Sequence, residues 1–438
     1  MPERYWIETL GCPKNEVDSA KLAGSLAADG YVAADAPEAA DLVVVNTCAF
    51  IEPARAESIE TILEFGERRR DGARLVVTGC LAERAGEELA AALPEIDVVA
   101  GFGVPVQLRA GPRVRRAGSA LEAFDLLELP RPAPETPWAY VKVAEGCDRR
   151  CGFCAIPSFR GKQRSRAQTA VLAEVEQLAA AGVREIVLVA QDLASYGNDD
   201  GRRSALVPLV RAVAERVARV RLLYLYPSSL TDELIDAVID TGVFYFDLSL
   251  QHVSAAHLRR MRRFGSGERF LARLGAIRAR VPEAAFRSSF ILGYPGETEE
   301  DHDALLGFLE EAQLDWGGFF TFSEEEGTFA AGLGDKVAPA LAAERARECS
   351  ELQDRISTTR RRARVGTRVA VLVDAPGIGR SVYEAPEIDG VVRLVGADPG
   401  RVGEIVPVEL IDSEGPDLIG VVARASGDEV RATAAALR

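Results

Sequence analysis

Cys147, Cys151 and Cys154 stand in the run Glu-Gly-Cys-Asp-Arg-Arg-Cys-Gly-Phe-Cys, a C-x3-C-x2-C spacing on one short loop. Three thiolates so placed can hold three irons of a 4Fe-4S cluster and leave the fourth iron open to a substrate or cofactor. A closed structural zinc site or an electron-carrier cluster wants a fourth Cys or His close by. No further Cys or His lies between Leu121 and Phe153 or between Ala155 and His252. The spacing therefore favours a reactive site over a zinc knuckle with a distant fourth ligand.

A second set is dispersed. Cys12 follows Leu10-Gly11, Cys48 follows Asn46-Thr47 and Cys80 follows Thr78-Gly79. Free cysteine is among the most buried residue types, so any one of the three alone reads as core. All three, however, end a strand-like run (Arg4-Leu10, Asp41-Asn46, Arg74-Thr78), and each run is followed by a helical pattern, starting near Asn15, Pro53 and Ala82. That alternation predicts a small parallel α/β sheet. Ligands of such sheets gather at the carboxyl ends of strands, so the three cysteines are expected to converge there as a second three-cysteine site. Cys349, alone in a charged stretch, receives no role.

The first loop also needs a scaffold. Trp138-Glu145 reads as a strand delivering it, and further strand-like runs at Glu185-Ala190, Val220-Tyr226, Phe244-Leu250, Arg287-Gly293 and Gly317-Phe322 alternate with helical segments. Six such βα units predict a partial barrel with its chemistry at the carboxyl ends of the strands. Gln191, Asp192, Ser249 and Gln251 fall at those ends. His252 reads there as a supporting hydrogen-bonding residue, and the Gly293-Thr298 run as a turn before a helix capped by Thr298.

Around this core the expected organisation is an α/β domain over 1–103, a Pro-, Gly- and Arg-rich linker over 104–136 with a short mixed segment at Leu121-Leu129, and the partial barrel over 137–336. A charged, solvated connecting helix over 337–365 and a small β-barrel over 366–438 follow. The last is drawn from short strand runs at Arg368-Asp374, Gly390-Leu394, Ile405-Leu410 and Leu418-Ala423.

A chain of 438 residues, 47% hydrophobic, can bury several cores, and with no apolar run of about 18 residues it is not expected to span a membrane. Met1-Leu10 lacks the apolar centre of a signal peptide, and an odd seven cysteines with clustered spacing read as metal ligands kept reduced, so a cytoplasmic location is expected. The net charge of -15 disfavours broad nucleic-acid binding and favours a basic partner. A local basic patch around Arg149, Arg150, Arg160, Lys162, Arg164 and Arg166 is the exception to weigh.

The C-x3-C-x2-C loop resembles that of the radical S-adenosylmethionine enzymes, and Phe153 matches the aromatic residue usual before the last cysteine. Gly11-Cys12-Pro13-Lys14-Asn15 with Val17-Asp18-Ser19, Asn46-Thr47-Cys48 and Thr78-Gly79-Cys80 resemble the N-terminal domain of the methylthiotransferases, and the final segment resembles their TRAM domain. The resemblance runs from about Tyr5 to Ala425. It implies two 4Fe-4S clusters, one on each cysteine set, and S-adenosylmethionine. It also implies that Gln191, Asp192, Ser249, Gln251, Arg263 and Arg287 help to hold S-adenosylmethionine or the substrate.

Within the family, Gly11-Asn15, Ile156-Pro157-Ser158 with Arg160-Gly161, and the stretch Glu384-Gly390 are most similar to the branch that modifies an aspartate of ribosomal protein S-twelve. Glu16 departs from that branch, which usually has an aliphatic residue there, and puts local packing in question. The resemblance implies that the cluster on Cys147, Cys151 and Cys154 generates a radical that takes hydrogen from the aspartate β-carbon. The cluster on Cys12, Cys48 and Cys80 then delivers a methylthio group. From Gly366 to Arg438 there are seven Arg and no Lys against twelve Asp plus Glu, a net of -5. An RNA-binding barrel should be basic, so direct RNA binding is not expected, and an acidic barrel suits a basic ribosomal protein. The rival within the family is a tRNA adenosine methylthiotransferase acting beside the anticodon, and the rival of another class is a non-catalytic iron-sulfur or RNA-binding module. No residue pattern names the sulfur donor or the electron donor.

Overall fold

The computed structural model describes residues 2–106, 113–115, 124–396 and 399–423. The start of the mixed linker segment and the tail of the expected β-barrel, 424–438, lie outside the described residues.

The first layer is a parallel sheet of β1 (Arg4–Thr9), β2 (Val32–Ala33), β3 (Leu42–Thr47), β4 (Arg74–Gly79), β5 (Val98–Ala100) and β6 (Val114–Arg115) in the order β2-β1-β3-β4-β5-β6. β3 is Leu-Val-Val-Val-Asn-Thr and buried throughout, the continuous apolar run of a strand covered on both faces. Helices α1 (Pro13–Ala28), α2 (Glu52–Arg68) and α3 (Cys80–Ala92) follow β1, β3 and β4. α1 starts two residues ahead of the sequence pattern because Pro13 suits the first turn, where a missing N–H costs nothing. Strand order reverses between β1 and β3, which opens a crevice over their carboxyl ends. Glu16 is exposed on α1, so its departure from the expected aliphatic residue leaves the core untouched. The described part of the expected linker is not a free tether: Val106, Phe124 and Leu126 are buried against Leu22 and Leu26 of α1.

Next comes a barrel of six parallel strands in chain order. β7 (Trp138–Lys142) leads into a small hairpin, β8 (Ala144–Glu145) with β9 (Arg164–Ser165), which encloses the cysteine loop and the short α4 (Ile156–Arg160). Then come α5 (Gln168–Ala180), β10 (Glu185–Val189), α6 (Leu206–Ala214), β11 (Arg219–Leu222), α7 (Asp232–Asp240) and β12 (Tyr245–Gln251). α8 (Ala255–Arg260), α9 (Gly267–Arg280), β13 (Ala285–Leu292), α10 (Glu299–Ala312) and β14 (Trp316–Thr321) complete it. Strands β7, β10 and β11 form one sheet and β12, β13 and β14 another. A bridge joins them: Leu225 N–H donates to the Asp247 carbonyl at 3.0 Å, and Ser249 N–H to the Leu225 carbonyl at 3.0 Å. The result is the open six-stranded barrel expected from the sequence, with α10 started by the Thr298 capping box.

The long helix α11 (Pro339–Arg362) departs from the expected solvated connector. Arg345, Cys349, Gln353, Ile356 and Arg361 form a buried stripe at helical spacing, and Gln353 donates to the Leu314 carbonyl at 2.9 Å. Three of those five residues are polar, which is why the stripe does not stand out as an apolar face.

The closing element is a barrel of β15 (Arg368–Ala375), β16 (Ile378–Arg380), β17 (Val392–Val395), β18 (Ile405–Glu414) and β19 (Asp417–Val422), ordered β15-β16-β17-β19-β18. Its segment 380–389 plugs the amino end of the six-stranded barrel. Glu185, Arg219, Tyr245 and Trp316 each open a strand of that barrel, and each bonds into the plug. Arg380 pairs with Glu185 at 3.0 Å, Arg219 donates to the Arg380 carbonyl at 2.8 Å, Tyr245 Oη donates to Asp389 at 2.5 Å, and Trp316 Nε1 donates to the Tyr383 carbonyl at 2.9 Å.

Burial pushes the Asp389 carboxyl up to about 6 despite nearby Arg287. A raised native value means that the stability this group contributes is fully present below about pH 4 and is lost as pH rises through about 6. Asp389→Asn is therefore expected to remove up to about 3 kcal/mol of that loss. Urea midpoints measured from pH 4 to 7 check it: parent and variant curves should diverge across this window.

Candidate functional site

The C-x3-C-x2-C loop is pinned by backbone bonds to parts of the barrel far away in sequence. Cys147 N–H donates to the Gly161 carbonyl at 3.1 Å, Gly152 N–H to Met261 at 2.8 Å, and Ala330 N–H to Gly152 at 2.8 Å. Burial pushes the Cys147 thiol up to about 11 and the Cys154 thiol to about 12, and the charge of Cys151 adds to both.

Cys12, Cys48 and Cys80 do converge, over the reversal point of the first sheet. Burial holds Cys48 up at about 11, with the charges of Cys80 and Cys12 adding to it, and burial also raises Cys80. The turns have no room to spare. Gly11 has φ +101°, and a Cβ there would sit 2.9 Å from Cys48 Sγ; Gly79 has φ +89°, and a Cβ there would sit 2.6 Å from the Thr47 backbone nitrogen. Asn15 joins two of the turns, donating to the Leu10 carbonyl at 2.7 Å and the Thr47 carbonyl at 3.1 Å.

In a 4Fe-4S cluster each thiolate binds a different iron. Three thiols sharing one loop or one crevice suit such a cluster.

Most residues singled out in the sequence gather beside the first loop. Phe153 packs on the barrel core. Gln191 Nε2 donates to Glu145 Oε1 at 2.5 Å, and Asp192 accepts from Arg149 Nε at 2.6 Å. Arg263 donates to Cys151 Sγ at 3.3 Å and to the Ser249 carbonyl. Gln251 ends β12 at φ +70°, a left-handed conformation uncommon for a side-chain-bearing residue and a mark of local constraint. His252 is buried, 3.4 Å from Glu297, and its Nδ1 accepts from Ser254 N–H at 3.1 Å. Arg287 stands apart: it lies 3.7 Å from Asp247 and 3.3 Å from Asp389, toward the plugged end.

Sequence reasoning passes over Glu145 and Tyr226 as site residues and weighs Arg149 only as part of a basic patch. Arg149 and Arg263 lie over the Tyr226 ring at 3.9 and 4.1 Å from its centre. Tyr226 follows β11, so the strand-end rule that selected Gln191 selects it as well. Burial works against the Glu145 carboxylate, but Arg160 and Lys142 outweigh it and hold it down at about 2.

The basic patch weighed from the sequence is largely consumed inside the molecule. Arg160 is buried and pairs with Asp18 at 2.8 Å; Arg166 is buried and pairs with Glu174 at 2.8 Å. Arg164 pairs with Asp125, and Arg149 with Asp192, while Arg150 and Lys162 are exposed. Among the described residues, no helix is long and apolar enough to cross a membrane.

Comparison with known proteins agrees with this geometry. Residues 4–101 match the Uncharacterized protein family UPF0004, residues 141–309 the Radical SAM superfamily, and residues 365–423 the TRAM domain. Proteins described as ribosomal protein uS12 methylthiotransferase RimO are similar over nearly the full chain. The one from Salinispora tropica is 42% identical over 95% of this chain and 95% of its own. That from Saccharopolyspora erythraea is 43% identical over 95% and 94%, and that from Moorella thermoacetica 42% over 93% and 96%.

Proposed function

The chain belongs to the RimO family of ribosomal protein uS12 methylthiotransferases, and from that premise we propose that it places a methylthio group on the β-carbon of an aspartate of uS12 in the cytoplasm. The observation that supports this most is the pairing of two three-thiol sites, one at the barrel mouth and one at the crevice of the first sheet, within a single network of side chains. Cys147, Cys151 and Cys154 would hold one 4Fe-4S cluster and Cys12, Cys48 and Cys80 the other. When bound, these clusters and S-adenosylmethionine supply the one-electron and sulfur chemistry that no side chain can perform at an unactivated C–H bond.

The protein's own groups bind and orient. Gln191, Asp192, Ser249, Gln251 and Phe153 line the carboxyl ends of the strands beside the first loop, where polar groups can take the amino and carboxylate ends of S-adenosylmethionine. Arg263 and Arg149, stacked on Tyr226, present cations at fixed positions on the same side. Arg287 serves the plug rather than this pocket.

An aspartate on a basic ribosomal protein is the substrate that the charges favour. The last barrel carries a net of -5 from Gly366 onward, and four of the six basic residues near the loop are already paired, so direct RNA contact has little to build on. Mass spectrometry of uS12 from cells with the gene intact and deleted tests this, with tRNA nucleosides measured in parallel. A methylthio-aspartate mass shift that disappears on deletion is the expected result. An unchanged uS12 with 2-methylthio-adenosine missing from tRNA would replace this reading with the tRNA enzyme.

A further inference from the structure

Arg160 stands where the two cysteine sites meet, and both ends of its guanidinium are engaged. It donates to Cys80 Sγ from Nη2 at 3.1 Å and from Nε at 3.3 Å. Nη2 also reaches Asn15 Oδ1 at 2.6 Å, and Nη1 reaches Asp18 at 2.8 Å and Glu145 Oε2 at 3.0 Å. Its planar face lies over the Phe102 ring, 4.3 Å from the centre. Lys142 bonds the same two carboxylates, so Asp18 and Glu145 are balanced by two cations within a buried group. The other two sulfurs have their own neighbours: buried Lys14 lies close enough to act on the charge of Cys12, and the Phe50 backbone N–H bonds Cys48.

We infer that Arg160 is a positioning residue that fixes Cys80 and raises the reduction potential of the cluster held on Cys12, Cys48 and Cys80, linking that cluster through Glu145 to the first loop. Hydrogen bonds to ligand sulfurs, local charge and burial set the potentials of such clusters. A cation fixed on one thiolate stabilises the reduced, more negative state. Five N–H groups in a rigid fork allow one Arg to serve a sulfur and two carboxylates together, which a Lys ammonium cannot reproduce. Glu145 immediately precedes Gly146-Cys147, so the same fork ties the second site to the start of the first loop.

This inference rests on the ligand roles proposed for Cys12, Cys48 and Cys80. The test uses the full-length chain with Cys147, Cys151 and Cys154 all changed to Ala, so that only one cluster remains, and follows its paramagnetic signal during a redox titration. Absence of a cluster in that background overturns the ligand assignment, and the role of Arg160 with it. With the cluster present, Arg160→Gln should lower the ratio of reduced to oxidised protein at a fixed applied potential at least tenfold, equivalent to about 59 mV for a one-electron couple. Asp18→Asn, which removes the anion opposite Arg160, should shift the ratio the other way, and this variant decides the matter if Arg160→Gln fails to hold iron. A merely structural Arg160 predicts equal ratios in every variant that loads, and that result would overturn the inference.

Discussion

Cys151→Ala and Cys12→Ala are expected to divide the activity in two. Each variant should carry about four irons per chain where the parent carries about eight, because each removes one ligand of a separate 4Fe-4S cluster. Cys151→Ala should abolish S-adenosylmethionine cleavage to 5'-deoxyadenosine, and with it all product. Cys12→Ala should keep that cleavage and lose only methylthio-aspartate, since Gly161, Met261 and Ala330 hold the first loop by backbone bonds that need no ligand at Cys12. Iron analysis, chromatography of the nucleoside product and mass spectrometry of uS12 read the three quantities separately. Loss of cleavage in both variants would show instead that the two sites assemble as a unit.

The largest loss of stability is expected from Glu384→Ala. The Glu384 carboxylate is buried, pairs with buried Arg361 of α11, and accepts from Ser381 N–H at 2.7 Å and Ser381 Oγ at 2.6 Å. Burial opposes its ionisation, yet Arg361 and the Ser381 donors keep its pKa below the ordinary value. Removing one partner of such a pair leaves an uncompensated buried charge, which costs about 3–5 kcal/mol. Urea unfolding should show this as a lower midpoint, and limited proteolysis should release the last domain. Glu414→Ala, which removes an exposed carboxylate from Arg393, should leave the midpoint unmoved.

The two places where cysteines gather and the three layers were legible in the sequence because each rests on a local rule. Ligand spacing marks the first loop, strand-end placement marks the second set, and alternating βα runs mark the barrel. What escaped depends on pairs distant in the chain. Arg160 reads as one more basic residue in a loop until Cys80, eighty residues earlier, is seen against it. Likewise, nothing near Arg345 or Gln353 announces that α11 will bury them, because their partners come from α10 and from the turn before β14. Arg287, placed by resemblance among the cofactor residues, is drawn instead toward Asp389, more than a hundred positions later. The stretch Glu384-Gly390 is a family mark in the sequence, but its work as a plug appears only when the amino ends of the barrel strands are seen around it.

That plug limits how relatives can be recombined. The last domain does not end at its own surface: its segment 380–389 is shaped to Arg219, Arg221, Tyr245 and Trp316 of the preceding one. A chimera that swaps the terminal domain to redirect substrate choice must bring matching strand starts with it, or retain 380–389 from the host and graft only the outer faces of β17, β18 and β19. Exchange at the obvious seam near Gly366 would deliver a foreign recognition surface on a barrel whose floor no longer fits.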